Sequence, residues 1–431
     1  MTRRLAPLLL STFVGGIALW IPVEKLFMSE IGFTPATVGV MAAAYAVVVP
    51  LLEIPSGVLA DRWSRRGVLV VGNVGALLSV LVGALSTNVT TYVAAALLLG
   101  VYFAMQSGTL DSIVYDTVLE ETGSSAGFDA VLGRVQVLSS AALVLGAVAG
   151  GLLGAATSAR TTYVATLPFL VASTVVLLRF REPRLHRTSG ATTLRQHVTT
   201  TFCTLRSQPQ IAPIVGLLVL TALLSQAVFE FGPLWLVEAE AGTAVYGPAW
   251  AGLMSSIGLG GAIAGRVRLD ARAPALMGGS LLVGAGGVLL VSRDPVVASA
   301  AQVVIATVSV AFGVMATRLL HDRLPSAVRS SVSSGVGAGG WMVFLPFALA
   351  FGAISERFGV SAAGWLLVVA GVATSGLLVT VTRPHAVTGA ADGLAGAGGD
   401  AAGDAAADRL ARCPGIGGAP EPVAVGAPAA A

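Results

Sequence analysis

The sequence predicts an all-α integral membrane protein of twelve transmembrane helices, arranged as two six-helix bundles. Of its 431 residues, 55% are hydrophobic and 11% are charged, whereas a soluble domain carries about a quarter charged residues. Apolar stretches recur at about 20 residues, the length that a helix needs to cross the hydrocarbon core of a bilayer. The 53 glycines also suit membrane helices, which use small residues for close packing.

The apolar stretches are mostly joined by short connections that carry turn residues. They are predicted at 6–27, 35–59, 67–87, 90–117, 129–156, 161–180, 211–237, 247–268, 273–292, 295–318, 331–355 and 360–382. The longest internal connection, 181–210, is polar, basic and Thr-rich, and it divides the chain into bundles at 1–180 and 211–385. Residues 386–431 are rich in Ala, Gly and Pro and lack large apolar side chains, which predicts a disordered cytoplasmic tail.

Basic residues predict the orientation, because Lys and Arg concentrate in cytoplasmic loops. With a cytoplasmic N-terminus, all but four of the 25 basic residues lie on the cytoplasmic side. The four outer residues are Lys25, Arg160, Arg293 and Arg357. The preference for Arg over Lys, with abundant Ala, Gly and Val, is typical of a GC-rich bacterial genome. We therefore expect a multi-pass protein of the bacterial inner membrane, monomeric, with both termini in the cytoplasm.

Several other function classes are excluded by composition. A net charge of +3 does not indicate a nucleic-acid partner. The two cysteines fall in predicted cytoplasmic segments and the four histidines lie outside the apolar spans, so we expect no disulfide framework, metal site or cofactor. No span carries a set of residues suited to nucleophilic or acid–base catalysis, and no Walker-type loop is present. The sequence therefore predicts neither an enzyme nor an ATP-driven pump.

The connection between the second and third spans carries a distinctive motif, Gly57-Val-Leu-Ala-Asp61-Arg62-Trp-Ser-Arg65-Arg66. Glycine permits close helix approach at the membrane exit, and the aspartate can accept hydrogen bonds from backbone amides or pair with an arginine. The arginines hold the loop at the cytoplasmic face. One interpretation is a gating loop, and the alternative is a positive-inside anchor without a gating role.

This loop resembles the G-x-L-A-D-R-x-G-R-R/K signature of the major facilitator superfamily, with Ser64 where the family usually has Gly. We expect that replacement to loosen the turn. The runs Glu53–Gly57, Ser107–Asp116 and Leu320–Ser330 are similar to a bacterial drug-efflux-like branch of the family. The resemblance covers about 6–382 and implies two bundles that rock about a central site.

Ionisable residues inside spans are costly and mark functional sites. Glu53, Asp111 and Arg134 lie about 8–13 Å from the cytoplasmic ends of their helices, so we predict that they form one buried proton-coupling cluster. Asp116 is expected to pair with a loop arginine. The predicted coupling and gating residues are Glu53, Asp61, Arg62, Arg65, Arg66, Asp111, Asp116 and Arg134. The alternative is a structural ion-pair cluster that moves no protons.

The predicted cavity wall is apolar and aromatic, which favours a lipophilic or amphiphilic substrate. The predicted substrate-binding residues are Trp20, Tyr102, Gln106, Gln226, Phe229, Glu230 and Trp341. Glu230 lies in the outer half of the seventh span, where it can hold a cationic substrate or a proton. The alternative is a carboxylate solvated with Glu238 and Glu240 near the outer interface.

Glycines recur at every fourth position of three spans, which places them on one helix face. They are Gly146, Gly150 and Gly154, Gly261 and Gly265, and Gly335 and Gly339. The family resemblance implies that the fifth span meets the eighth and the second meets the eleventh. These faces suit either sliding seams between the bundles or static packing.

Together the patterns predict a secondary transporter whose partners are a small molecule, protons and the lipid bilayer. The leading function is proton-coupled efflux of a lipophilic drug-like molecule or secondary metabolite by alternating access. The alternatives are proton-coupled uptake of a small solute and a non-transporting membrane sensor with the same fold.

Overall fold

The computed structural model describes residues 2–106, 109–123, 128–183, 211–267, 272–324 and 326–382. Within these ranges it does not describe the side chains at 2–3, 53–54, 57–58, 61–62, 129–130, 326–331 and 334. The predicted coupling residues Glu53, Asp61 and Arg62 therefore lie on a described backbone, but their side chains are outside the description. The linker beyond residue 183, the loop at 268–271 and the tail also lie outside it.

Every regular element in the described residues is a helix. The first half, residues 2–183, contains α1 (Thr2–Gly15), a 3₁₀ turn (Ile21–Val23), α2 (Glu24–Glu30), α3 (Pro35–Arg62), α4 (Arg65–Leu85), α5 (Val89–Gln106), α6 (Thr109–Thr122), α7 (Phe128–Ala156) and α8 (Ala159–Leu178). The second half, residues 211–382, contains α9 (Ala212–Phe231), α10 (Pro233–Glu238), α11 (Thr243–Arg266), α12 (Arg272–Val291), α13 (Pro295–Arg323), α14 (Ser326–Phe358) and α15 (Val360–Val381).

Polar side chains begin several of these helices by bonding amides that have no partner within the helix. Thr34 and Thr37 form a reciprocal capping box at the start of α3. Ser158 caps α8 through the Thr161 amide, and Asp294 caps α13 by accepting from two backbone amides. These caps lie at the turns between spans, so the sequence itself fixes where the apolar helices begin.

Ten described segments are helical, long and apolar enough to cross a membrane. They correspond to ten of the twelve predicted spans; the first and the eighth are the exceptions. The first predicted span is wrong as a continuous helix, since α1 ends at Gly15 and the chain resumes in the 3₁₀ turn at Ile21. The eighth corresponds to α11, a helix of 24 residues rich in Gly, Ser and Ala.

The seventh predicted span is interrupted as well, at the corresponding place in the second half. Pro233 follows Gly232 where α9 passes into α10, and proline carries no amide hydrogen for the helical ladder. The buried Gln302 side chain donates to the Gly232 carbonyl at 3.0 Å. The first helix of each half is therefore interrupted toward the same end of the bundle.

Two pairs of helices bring the halves together, α3 with α14 and α7 with α11. They correspond to the second and eleventh spans and to the fifth and eighth, so both predicted contacts are confirmed. The 3₁₀ turn also packs on α11, and α2 packs on α10. The interrupted first span thus lies at the boundary between the halves.

Candidate functional site at the boundary between the halves

The halves touch most closely at one end, which we call the closed end and define by the starts of α3 and α11. A methyl group on Gly151 would come within 2.5 Å of the Gly247 Cα, and one on Gly39 would lie 3.0 Å from the Gly352 Cα. Both distances are shorter than ordinary carbon–carbon contacts of about 3.5–4.0 Å. Glycine at these four positions therefore permits backbone-to-backbone contact across the boundary.

The described glycines make no such contact toward the opposite end, which we call the basic end because it carries the Arg65–Arg66 connection. A methyl group on Gly133, Gly258 or Gly339 would have no atom within 4 Å. Gly133 is in α7 and Gly258 in α11, the same helix pair that touches at the closed end. The close contacts of this helix pair are therefore confined to the closed end, from which we infer that the boundary is open toward the basic end.

The predicted glycine faces do not form this seam. Methyl groups on Gly146 and Gly150 would meet the backbone of Ala18 and Leu19, with a distance of 2.0 Å to the Leu19 carbonyl oxygen. Methyl groups on Gly261, Gly265 and Gly339 would meet no atom within 4 Å. Gly146 and Gly150 instead accommodate the non-helical stretch between α1 and the 3₁₀ turn, whereas a methyl group on Gly154 would lie 3.2 Å from the Val23 side chain and 3.6 Å from the Thr243 side chain of α11. The cross-half contact uses Gly151, one position further along α7.

Near the closed end, a buried ion pair joins the two halves. Lys25 Nζ lies 2.6 Å from Glu230 Oε1 and 3.1 Å from Glu24 Oε2. The side chain of Lys25 is 2% exposed, that of Glu230 14% and that of Glu24 19%. Glu24 and Lys25 follow the interruption in the first span, and Glu230 precedes the interruption in the seventh. Two carboxylates from different halves therefore neutralise one ammonium group.

Two tyrosines extend this cluster into the first half. The Tyr92 hydroxyl donates to Glu24 Oε1 at 2.9 Å and lies 2.7 Å from the Tyr163 hydroxyl. Trp20 packs on Tyr163 at 5.3 Å between ring centroids. A cavity of about 10 Å³ adjoins these rings and Glu24, about the volume that one water molecule needs. Trp20 thus faces the interior of the first half, and its predicted place in a wall between the halves is wrong.

An aromatic group lies between the halves on the basic side of the ion pair. Tyr45 contacts Trp341 at 5.4 Å and Phe103 at 6.0 Å between ring centroids. Gln226 Nε2 donates to the Tyr45 hydroxyl at 3.4 Å. Phe103 is 43% exposed, so this group is not fully enclosed by protein. Gln226 and Trp341 therefore come together as predicted, whereas Tyr45 and Phe103 complete the group.

The other predicted substrate residues are more scattered. Phe229 packs on Trp250 of α11 at 6.3 Å, and Tyr102 packs on Phe103 at 5.3 Å. Gln106 is half-buried at the end of α5. Glu230 is the predicted residue with the best-defined environment, because it takes part in the buried ion pair.

At the basic end, Arg65, Arg66 and Arg4 make polar contacts within the first half. Arg65 forms an ion pair with Asp116, which confirms the expected pairing of Asp116 with a loop arginine. Arg66 donates to the Phe180 carbonyl at 3.0 Å. Arg4 pairs with Glu120 at 2.7 Å.

Ser64 does not loosen the turn as expected, because it caps α4. Its hydroxyl accepts from the Gly67 amide at 2.9 Å and donates to Glu182 Oε2 at 2.6 Å. The Arg65 amide donates to Glu182 Oε1 at 2.7 Å. Serine therefore ties the motif loop to the chain that follows α8, a contact that glycine lacks the hydroxyl to make.

The predicted buried cluster of Glu53, Asp111 and Arg134 is not supported where it is described. Asp111 and Arg134 are both exposed, so they do not form a buried pair, and the Glu53 side chain lies outside the description. Equal depth along separate helices left their facing directions undetermined. Their role in coupling stays a prediction.

The sequence did not predict the cluster that contains Lys25, Glu24, Tyr92 and Tyr163. It indicated only that Lys25 lies on the outer side. Two local signals were present. Lys25 is the one lysine among the 25 basic residues, and it stands within the first apolar stretch beside Pro22. Nothing in the linear pattern indicates that Glu230, 205 positions away, is its partner.

Comparison with known proteins agrees with this geometry. The family model described as Major Facilitator Superfamily matches residues 8–343. Multidrug resistance protein 2 of Bacillus subtilis (strain 168) is 28% identical over 164 residues, and the match spans 38% of this chain and 38% of that protein's length. Among solved structures, a mutant of the nucleoside transporter NupG gives a TM-score of 0.73 at 10% identity over 88% of this chain and 100% of the other. The D-xylose-proton symporter gives 0.65 at 14% identity over 89% and 98%.

Proposed function

The chain belongs to the Major Facilitator Superfamily, and from that premise we propose that it is a proton-coupled exporter of lipophilic small molecules. It is a multi-pass membrane protein with ten apolar helices long enough to span a bilayer. We place both termini in the cytoplasm of a bacterial inner membrane and assign the bundles to 1–180 and 211–385. We propose that the monomer is the transporting unit.

The observation that carries the proposal is the boundary that is closed at one end and open at the other. In alternating access, the halves rock so that a central site opens to one side of the membrane at a time. With the basic end in the cytoplasm, the structure corresponds to a state that receives substrate from the cell interior. That is the loading state of an exporter and equally the releasing state of an importer, so this state supports alternating access, and the proposed direction rests on the arguments that follow.

The chemistry of the aromatic group supports a lipophilic substrate. Tyr45, Phe103 and Trp341 present ring faces and edges, and Gln226 adds one amide. Pockets of this kind bind apolar or amphiphilic ligands, with a small number of polar groups fixing orientation. Aromatic faces also attract organic cations. A sugar or phosphate would need many more polar contacts than these residues offer.

Export is supported further by the partial similarity to the Bacillus multidrug resistance protein. The nucleoside and xylose transporters share the fold at 10% and 14% identity, a level at which fold does not specify substrate. Uptake by the same fold is the main competing function, and direction of transport is the property that separates the two.

Proteoliposomes with an imposed pH gradient test the proposal directly. Ethidium serves as the lipophilic cationic probe, and uridine and D-xylose serve as polar probes. We expect ethidium movement against its gradient, in exchange for protons, with no movement of the polar probes. Proton-driven accumulation of uridine or xylose would replace export by uptake. Ethidium binding without flux of any probe would indicate a sensor.

A matched pair of tryptophan variants tests the binding region. Trp341 contacts Tyr45 at the boundary, whereas Trp365 is 60% exposed on α15. Trp341→Ala should weaken ethidium binding about tenfold, since a well-placed aromatic contact contributes about 1–1.5 kcal/mol. Trp365→Ala should leave binding within about twofold. Equal effects of the two changes would remove Trp341 from the site.

A further inference from the structure

We propose that Glu230 is the proton-binding group of this transporter and that Lys25 is the internal cation that displaces its proton when the closed end forms. Both residues lie at the boundary between the halves, and their ion pair must break for that end to open. This inference specifies the proton coupling of the proposed function and rests on it.

The ion pair crosses the boundary where backbone contacts also cross it. Lys25 is on α2, which packs on α10, and Glu230 is in the last turn of α9. The 2.6 Å separation of Lys25 Nζ and Glu230 Oε1 requires the halves to be together. Rocking the halves apart at this end therefore separates these two charges.

Separation affects the two carboxylates differently. Glu24 precedes Lys25 in the chain, contacts it at 3.1 Å and also accepts from Tyr92 at 2.9 Å. Because these three residues belong to the first half, Lys25 retains a counter-ion and Glu24 retains two donors when the halves part. Glu230 loses Lys25 and keeps no cation, so opening leaves one unpaired carboxylate in the second half.

Among the described residues, Lys25 is the cation that forms an ion pair with Glu230, and Arg160 of α8 lies instead over the ring of Phe27. From α3, the titratable group nearby is Tyr45, which contacts Gln226, one turn before Glu230. From α2, it is Glu24, whose charge has the same sign. Helix α15 carries no charged residue, and the charged residues of α13 begin at Arg318, toward the basic end. Those of α14 near the closed end are Glu356 and Arg357, in its last turn.

An unpaired carboxylate in apolar surroundings binds a proton rather than remaining charged. When the closed end opens, the Glu230 carboxylate takes one proton from the newly exposed solution and becomes a carboxylic acid. When that end closes, the Lys25 ammonium returns to within 2.6 Å and favours the carboxylate. The same proton then leaves toward the boundary region that is open at the basic end. One proton is thereby carried inward in each cycle while Lys25 stays protonated throughout.

The identity of the cation fits this role. A lysine ammonium is a compact point charge that can contact two carboxylates from different directions, whereas arginine favours bidentate pairing with one. Of the 25 lysines and arginines in the chain, Lys25 is the one lysine, and the other 24 are arginines. Lysine stands where one cation is shared between two halves that must separate.

The test measures opening directly and needs no substrate. The full chain, with Cys203 and Cys413 replaced by serine, is spin-labelled at Thr87→Cys and Gly242→Cys and placed in lipid nanodiscs. Thr87 is exposed between α4 and α5, and a side chain at Gly242 meets open space. Double electron–electron resonance then measures the distance between the two spin labels. The distance distribution reports the closed and open populations from pH 8 to pH 4.

For the wild type, we expect the open-to-closed ratio to rise as pH falls, by about tenfold per pH unit, because opening binds one proton. Glu230→Gln should favour the open form and abolish the pH dependence. Lys25→Gln should abolish it as well, which gives a second reading if Glu230→Gln does not fold. Glu24→Gln should keep the slope but move the midpoint to lower pH, because opening would then leave Lys25 without a counter-ion.

Glu230→Gln should raise the open-to-closed ratio and Glu24→Gln should lower it, although both carboxylates contact Lys25. These opposite shifts distinguish the proposal from a static ion-pair cluster. If Glu24→Gln and Glu230→Gln shift the population in the same direction, or if Glu230→Gln keeps the wild-type slope, the assignment is wrong. Glu240→Gln, an exposed carboxylate at the same end, is the matched control and should match the wild type. Proton-driven ethidium flux can persist through another group, so failure here is separable from failure of the proposed function.

Discussion

The closed end and the basic end of the bundle differ in which contacts their polar residues make. At the closed end, Lys25 joins α2 of the first half to α9 of the second, beside glycine contacts between α7 and α11. At the basic end, Arg65, Asp116, Ser64 and Glu182 bond to one another within the first half.

This difference indicates which interactions change when the halves move. Contacts inside one half persist as that half moves, so they contribute to its stability in every state. Contacts across the boundary exist only while that end is closed, so their free energy sets the population of the closed form. An arginine-rich signature loop can therefore serve mainly to hold one half together, even though its charges are prominent in the sequence.

The largest effect is expected from adding a methyl group at the cross-half glycine contact. Gly151→Ala should disfavour the closed end by about 2 kcal/mol, because overpacking of a tight contact costs about 1–3 kcal/mol. Double electron–electron resonance between spin labels at Thr87→Cys and Gly242→Cys would measure the change in the open-to-closed ratio.

The control for that variant is the same substitution at the other end of the same helix. Gly133→Ala meets no atom within 4 Å and should raise thermal stability slightly, since alanine favours helix by up to about 1 kcal/mol over glycine. If both variants open the closed end equally, the two ends of α7 do not differ in the way we describe.

A smaller effect is expected from the ion pair inside the first half. The side chains of Arg65 and Asp116 are 19% and 17% exposed. Removing either should therefore lower the free energy of unfolding by about 1.5–2 kcal/mol. A double-mutant cycle should show that the two losses are not additive. The same cycle on Arg4 and Glu120, each 25% exposed, should give a coupling of at most about 1 kcal/mol. A larger coupling for the Arg4 pair would contradict the ranking.

The smallest effect concerns the cap at the start of α4. Ser64→Ala should lower the unfolding free energy by about 1 kcal/mol, because it removes the N-cap acceptor and the bond to Glu182. Thermal unfolding in detergent would measure it. Ser255→Ala, which removes an exposed hydroxyl bonded within its own helix, should change stability by less than about 0.5 kcal/mol. A neutral Ser64→Ala would show that the cap and the bond to Glu182 do not stabilise this turn.

Much of the fold was predictable because it depends on local composition. Apolar runs of membrane length, capping residues such as Asp294 and the Gly57–Arg66 motif are readable along the chain. The interruption of the first span at Gly16–Trp20 was not predicted, since hydropathy continues through it. At this interruption the Leu19 backbone lies against Gly150, a tertiary contact that hydropathy does not register.

The site was predicted less well, for a related reason. Helical depth can be computed from residue spacing, and it placed Asp111 and Arg134 at one level. Facing direction depends on how each helix packs, and both side chains are exposed. Gln226 and Trp341 both contact Tyr45, while Trp20 packs on Tyr163 in the first half.

The amino-acid sequence was sufficient to predict that this chain crosses the membrane many times and that its arginines concentrate in connections on one side. Those properties follow from the energy of moving each segment from water into lipid, which is a sum over neighbouring residues. The tertiary structure decided that a single lysine meets a glutamate 205 positions away and that Gly151 meets Gly247. Such pairings depend on the packing of separate helices, which no local sum specifies.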